Sequence, residues 1–363
     1  MLNNSTTVFR PRTTSFFAAA FLVALSGISM NARSDDKVSP RTEQIKWFHE
    51  AKFGLFVHYG LVSLSPFGKT QPMSKDVTQE EWQRRFTASK FDADAIADLA
   101  VEAGMKYITF TPYHGGGPYM FRSKVAHPNT VDDLPAKRDL VGEMAEACRK
   151  RGLGLMLYVH GSLAQSHAPV YERNKAIFKE LLTQYGPIAG LWFDTDSAYY
   201  KDPERKLYPK LDETFALIRS LQPTCLISFC HGVTGDEDFI TYEHRFYPQS
   251  TFKFVPDAVK KRLADKPVEI CTTLQLNEKG GKGTKMWFNV EGAYHRTADE
   301  VWQLLGEARR DGCNLLLNVG PLGDGSLHPD DVKTLKEIGA RLKKSGFPVA
   351  AGSGTASKEG EDR

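Results

Sequence analysis

The chain has 363 residues, of which 41% are hydrophobic, 25% charged and 11% aromatic. That apolar fraction builds a core and excludes wholesale disorder, and the length fits either two domains or one barrel of about 250 residues or more. Lys+Arg 47 against Asp+Glu 44 leaves a net charge of only +3, so no nucleic-acid partner is expected, because phosphate binding shows as a basic excess or stripe.

In chain order, Arg10 and Arg12 precede an apolar run from Phe16 to Leu25 and then small residues up to Ala32. This order of charged, apolar and cleavage regions predicts a signal peptide over residues 1–32 and a secreted or periplasmic mature protein. The apolar run is short for a span, and no later stretch approaches the roughly 18 residues needed, so no stable membrane span is expected after cleavage. One unit then recurs: an amphipathic helix, a Gly or Pro, and a short apolar strand. Strand Phe53–Val57 comes first. Helix Phe91–Ala103 leads through Gly104 into Met105–Phe110, and Leu140–Arg151 through Gly152 into Leu153–Val159. Lys175–Tyr185 leads into Ile188–Phe193, and Leu211–Gln222 into Cys225–Phe229. Strand Val268–Leu274 follows, then Val301–Asp311 leads into Cys313–Val319, and Pro329–Lys344 closes the pattern. Continuous apolar strands suit a parallel sheet buried on both faces, and glycine just past a helix end accepts the left-handed cap. Seven or eight such units predict an α/β (β/α)8 barrel. No G-x-G-x-x-G follows the first strand, which argues against a dinucleotide fold. Cys148, Cys225, Cys230, Cys271 and Cys313 are odd in number, lack C-x-x-C spacing and read as buried core.

Barrel enzymes keep their chemistry at the C-terminal strand ends. The residues read there are His58, His114, His160, Asp194, His231, Glu269 and Asn318. Each strand contributes a single histidine and none shows H-x-H, so a metal-dependent hydrolase is the weaker reading and no metal or other cofactor is expected. Glycoside hydrolysis needs two carboxyl groups, one to attack or activate water and one to protonate the leaving oxygen. Asp194 and Glu269, 75 residues apart, face each other only in a closed fold. The acid must hold a proton at working pH, so burial or the other carboxylate has to raise its pKa.

Several blocks, in order, resemble glycoside hydrolase family 29, the α-L-fucosidases. They are Trp47-Phe48 with Phe53-Gly54-Leu55-Phe56-Val57-His58-Tyr59-Gly60, then Lys137-Arg138-Asp139-Leu140-Val141-Gly142-Glu143, Leu191-Trp192-Phe193-Asp194, and Asn314-Leu315-Leu316-Leu317-Asn318-Val319-Gly320-Pro321. The resemblance spans about residues 42–350 and implies an irregular (β/α)8 barrel and a retaining exo-glycosidase acting on a fucosylated glycan or related oligosaccharide. It implies Asp194 as nucleophile and Glu269 as acid/base, with Glu243 in reserve. It further implies that His58, Glu81, Trp82, His114, Tyr158 and Trp192 contact the sugar.

The chain also departs from the family's pattern. Where the family usually reads H-H-D-G-F, this sequence has His114-Gly115-Gly116-Gly117-Pro118, and where Tyr-Ser is usual it has Val159-His160. Cys230-His231 stands in the place of the family's arginine. Two hydroxyl-reading side chains are thereby lost, with His160 and His231 as candidate replacement donors, which points to altered sugar specificity. A catalytically silent glycan-binding barrel is the alternative reading. The expected organisation is a signal peptide at 1–32, a catalytic barrel at 33–347 and a disordered polar tail at 348–363, without the β-sandwich that commonly follows the barrel in the family.

Overall fold

The computed structural model describes residues 38–65, 78–115, 117–194, 206, 208–244, 257–278 and 286–348. The expected signal peptide, Gly116 and all but the first residue of the expected tail lie outside the described residues.

Eight parallel strands close into a barrel. They are β1 (Phe53–Val57), β2 (Tyr107–Phe110), β3 (Gly154–Val159), β4 (Gly190–Phe193), β5 (Leu226–Cys230), β6 (Phe239–Glu243), β7 (Val268–Thr273) and β10 (Asn314–Val319). The ladder runs in chain order and closes where Phe53 of β1 pairs with Leu315 of β10. A two-stranded antiparallel insert, β8 (Gln275–Leu276) with β9 (Tyr294–His295), lies between β7 and β10. Outside run the helices α3 (Ala93–Glu102), α4 (Leu140–Arg151), α6 (Val170–Gln184), α7 (Leu211–Leu221), α9 (Ala298–Arg310) and α10 (Pro329–Ser345), with short helices α2 (Gln79–Arg84), α5 (Gly161–Ala164) and α8 (Asp257–Leu263) in the connections.

Strand side chains alternate between two apolar layers, as the period of two requires. Leu55, Val57, Ile108, Phe110, Leu155 and Leu157 pack outward against the helices. Phe56, Tyr107, Met156, Tyr158, Trp192, Leu226, Cys230 and Leu316 fill the barrel axis. Because both faces are covered, the strands are apolar throughout rather than alternating in sequence.

The barrel floor is closed by α1 (Pro40–Ala51), an element the sequence pattern did not indicate. Ser39 caps it by accepting from the Thr42 amide, and Pro40 occupies the first turn, where its missing N–H costs nothing. Phe48 inserts between Tyr107 and Phe239, with ring centroids 5.5 and 4.0 Å away. Its carbonyl accepts from Asn314 Nδ2 at 2.6 Å, and Arg41 Nε donates to Asp238 at 2.6 Å.

β6 is the strand the helix–glycine–strand pattern could not find. Parallel strands usually need a crossover of a dozen or more residues. Here residues 231–238 alone connect β5 to β6, with no helix between. Two buried carboxylates organise that loop: Glu237 accepts from the amides of Val233, Thr234 and Gly235, and Asp238 from the amide of Ile227. The Lys137-Arg138-Asp139 block is structural as well. Arg138 pairs with Glu143 and donates to the carbonyls of Ala88 and Phe91, while Asp139 caps α4 and accepts from Tyr185.

All five cysteines are buried thiols outside any disulfide, as expected. No helix among the described residues is long and apolar enough to cross a membrane. Because Phe48 is fully buried, Phe48→Ala leaves a cavity at the barrel floor and is expected to destabilise the fold by about 3–5 kcal/mol. Denaturant unfolding of wild type and variant measures it.

Candidate active site

At the C-terminal mouth, the inward parity of three adjacent strands places Asp194 after β4, Cys230 at the end of β5 and Glu243 at the end of β6. Their donor atoms all lie within 4.8 Å of one another. Tyr158, on β3, donates its hydroxyl to Asp194 Oδ2 at 2.6 Å, and the Asp194 amide donates to Val159 O at 2.9 Å, so this carboxylate is held at side chain and backbone. Burial, and secondly the negative charge of Asp194, raise the Glu243 pKa to about 8. No hydrogen bond to the Glu243 carboxyl is found among the described residues. Asp194 thus accepts a hydroxyl donor, while burial and the Asp194 charge favour the protonated form of Glu243.

Glu269 is not at the mouth, which corrects the position read from sequence. It lies at the start of β7, paired in register with Thr241 and Asn314, and is fully buried. Its two oxygens accept from Tyr107 Oη and, at 2.9 Å, from Trp192 Nε1. Burial raises its pKa to about 7 against the opposing effect of those two bonds. Trp192 is therefore core rather than a sugar platform: it is 1% exposed, bonds downward to Glu269 and stacks on Tyr158 at 5.8 Å.

Three of the expected histidines gather around Tyr158. His58 is bonded through Nδ1 to Asn318 Oδ1 at 2.6 Å, and burial pushes its pKa down to about 3, so it is neutral. His114 lies 6.1 Å from the His58 ring, stacks on Tyr158 at 5.7 Å and meets His160 at 5.2 Å. Burial holds it well below the ordinary histidine range, and its Nδ1 has no partner among the described residues. His160 caps α5, its Nδ1 accepting from the Ser162 amide at 3.2 Å.

The remaining expectations fall elsewhere. The His231 ring sits 5.6 Å from Tyr242, a residue of the outer apolar layer; residue 231 lies just past β5 in a turn with a φ of 65°. Trp82 is buried among Tyr59 and Phe86 in the outer core, and Glu81 pairs with Arg85 at 2.7 Å on the surface of α2. Sequence reasoning missed Cys230 as a mouth residue, together with His244, Trp287 and Phe288. Trp287 stacks on His244 at 4.9 Å and lies 5.0 Å from His58, while Phe288 packs edge-on to His58 and His114. The signal available for His244 was its position next to Glu243.

The glycine at 115 has a local cause. Its φ is not left-handed, so the backbone does not require it. A Cβ there would stand 2.9 Å from His160 Nε2. Gly115 and His160 are thus a matched pair, in which the imidazole from β3 stands where a side chain at 115 would begin.

A closed parallel barrel whose mouth brings two carboxyl groups together has the architecture of a glycoside hydrolase. The chain belongs to the α-L-fucosidase family, whose profile matches residues 28–347. Tissue α-L-fucosidase of Bos taurus is 29% identical over 84% of this chain and 68% of its own length, and the human tissue enzyme is 28% identical over 84% and 69%. The structure of α-L-fucosidase isoenzyme 1 from Paenibacillus thiaminolyticus superposes with a TM-score of 0.68 at 26% identity, covering 87% of this chain and 80% of that one. α-L-Fucosidase AlfC from Lactobacillus casei, with α-L-fucose product, shares the fold at a TM-score of 0.63 and 24% identity, covering 83% and 98%.

The matched pair makes a thermodynamic statement. Gly115→Ala is expected to destabilise the wild type more than the His160→Ser background, with a coupling of about 1 kcal/mol, as for other contacting residues. A double-mutant cycle on unfolding free energies measures it, and additivity would show that the two positions do not share space.

Proposed function

We propose that this chain is a retaining exo-glycosidase of the α-L-fucosidase type in which Asp194 is the nucleophile and Glu243, rather than Glu269, is the acid/base. The observation that carries the reading is the approach of the two carboxyl groups within 4.8 Å. Retaining enzymes hold them about 5–5.5 Å apart, whereas inverting enzymes leave about 6.5–9.5 Å for a water. The opposed environments support the same division of labour, because Tyr158 favours the charged form of Asp194 while crowding and burial keep Glu243 protonated.

In the first step an Asp194 oxygen attacks the anomeric carbon, the bond to the leaving oxygen breaks, and Glu243 gives that oxygen its proton. A covalent glycosyl-aspartate results. In the second step Glu243, now a carboxylate, takes a proton from water as the water attacks the same carbon and releases Asp194. Glu269 takes no part in this exchange, being one strand-length below the mouth with both oxygens occupied.

The substrate class follows by analogy with relatives. Structures of AlfC hold α-L-fucose and Fuca(1,6)GlcNAc. For this chain the sugar is an α-L-fucoside or a related L-sugar such as an L-galactoside. Its hydroxyls are read by His58, His114 and His160, the last in place of the side chain that Gly115 lacks.

Aryl α-L-fucoside and α-L-galactoside hydrolysis by wild type and variants tests the proposal. Asp194→Asn is expected to abolish turnover. Glu243→Gln is expected to lower kcat by about 10²–10⁴-fold, as for loss of a general acid, and less for an activated leaving group that needs no proton. Glu269→Gln is expected to retain turnover within about tenfold of wild type, since an amide still accepts one of the two bonds. A reversed order of the two glutamate variants would return the acid role to Glu269. Because the acid works only when protonated, wild-type kcat/KM is expected to fall as pH rises through about 8, and Glu243→Gln to lose that alkaline limb.

A further inference from the structure

Hydrolysis as described leaves Cys230 without a task, although it stands at the centre of the site. It ends β5 with its side chain toward the barrel axis, 1% exposed. Its Sγ and one oxygen each of Asp194 and Glu243 form a triangle with no side longer than 4.8 Å. Among the described residues this is the one group of three such side chains whose donor atoms converge. A tetrahedral zinc ion with bonds of about 2.3 Å to sulfur and about 2.1 Å to oxygen holds its ligands about 3.6 Å apart, so small side-chain rotations close the triangle. The donor set selects the ion. A thiolate favours zinc and its heavier congener, whereas magnesium and calcium take oxygen ligands in larger number. Two carboxyl groups crowded in a buried mouth also gain most from a divalent charge placed between them.

We propose that Asp194, Cys230 and Glu243 form a binding site for a thiophilic divalent cation, Zn2+ or Cd2+, and that its occupancy switches hydrolysis off. Binding releases the Cys230 thiol proton and the Glu243 carboxyl proton to solvent and leaves the fourth coordination position to water. The bound ion takes the attacking oxygen of Asp194 and the proton-carrying oxygen of Glu243 together, so it competes with the sugar. The inference concerns an inhibitor and adds no step to the hydrolysis. Its inhibition arm rests on the reading above, and its binding arm does not.

The experiment uses the full mature chain, stripped with a chelator and dialysed, then titrated with CdCl2 or ZnCl2. Cadmium binding is read from the ultraviolet charge-transfer band of a cadmium–thiolate bond, and inhibition from aryl α-L-fucoside hydrolysis. The expected result is one saturable equivalent per chain, inhibition that follows the band and is competitive with substrate, and no effect of MgCl2 or CaCl2 at the same concentrations. Loss of an outer-shell partner alone costs a metal site about 10–100-fold, so Cys230→Ser is expected to lose the band and raise the inhibitory concentration at least about tenfold. Cys148→Ser removes a thiol of α4 and is expected to change neither readout. Glu243→Gln keeps the thiol and is expected to weaken the cadmium band at least about tenfold, a readout that holds even if Cys230→Ser does not fold. A band that persists unchanged in both Cys230→Ser and Glu243→Gln, or no saturable band in the wild type, overturns the site. Failure to hydrolyse any fucoside, with the band intact, would count against the hydrolase assignment and leave the metal site standing.

Discussion

The chemistry of this molecule depends on the inward parity of a closed parallel ladder. Trp192 on β4 with Asp194 just after it, Ser228 and Cys230 on β5, and Thr241 and Glu243 on β6 all point to the axis because strand side chains alternate. Register then decides their height: Cys230 is level with Thr241, so Asp194 and Glu243 emerge at the mouth on either side of β5. A shift of one residue in either strand would send a carboxyl group into the apolar layer beneath the helices. Closure is therefore a chemical requirement as well as an architectural one. It crowds two carboxyl groups in a partly dry space, and the raised pKa of Glu243 follows from burial and, secondly, from the Asp194 charge.

Below the mouth the barrel is an aromatic stack with a buried carboxyl at its base. Glu269 receives Tyr107 and Trp192, Trp192 stacks on Tyr158, and Tyr158 donates to Asp194. Each member fixes the orientation of the next, so the Asp194 oxygen that accepts from Tyr158 is held in place. Preorganisation of this kind avoids reorientation during the reaction. Phe48 of α1 seals the stack from beneath, so an N-terminal helix far from the mouth contributes to its order. The departures at 115 and 160 belong to the same logic, because a single volume beside His114 is filled by the imidazole from β3.

Legibility in the sequence varied with how local the cause was. The seven strands expected were found at their places, since a helix ending in glycine before an apolar run is a local signal. β6 was missed because Glu237 and Asp238 replace the helix that normally announces a strand, and without β6 the residue Glu243 had no strand end to occupy. Glu269 took the acid role from the family resemblance, and its place at the mouth was misread because the start and end of the expected strand Val268–Leu274 look alike when direction is not tied to register. Trp192 read as a platform, yet its indole N–H turns downward to a carboxylate 77 residues away. His231 was read at the mouth because it follows the fifth strand, yet its ring lies beside Tyr242 of the outer layer.

What the chain determined by itself was the class of fold, the histidines at the ends of the first strands, and Asp194 at the end of the fourth. These follow from local periodicity, helix caps and short motifs, which need no distant partner. What only the tertiary structure decided was which glutamate faces Asp194, why Gly115 is a glycine, and where Cys230 stands. Those answers depend on how eight strands close, and closure brings together atoms whose separation along the chain carries no information about their separation in space.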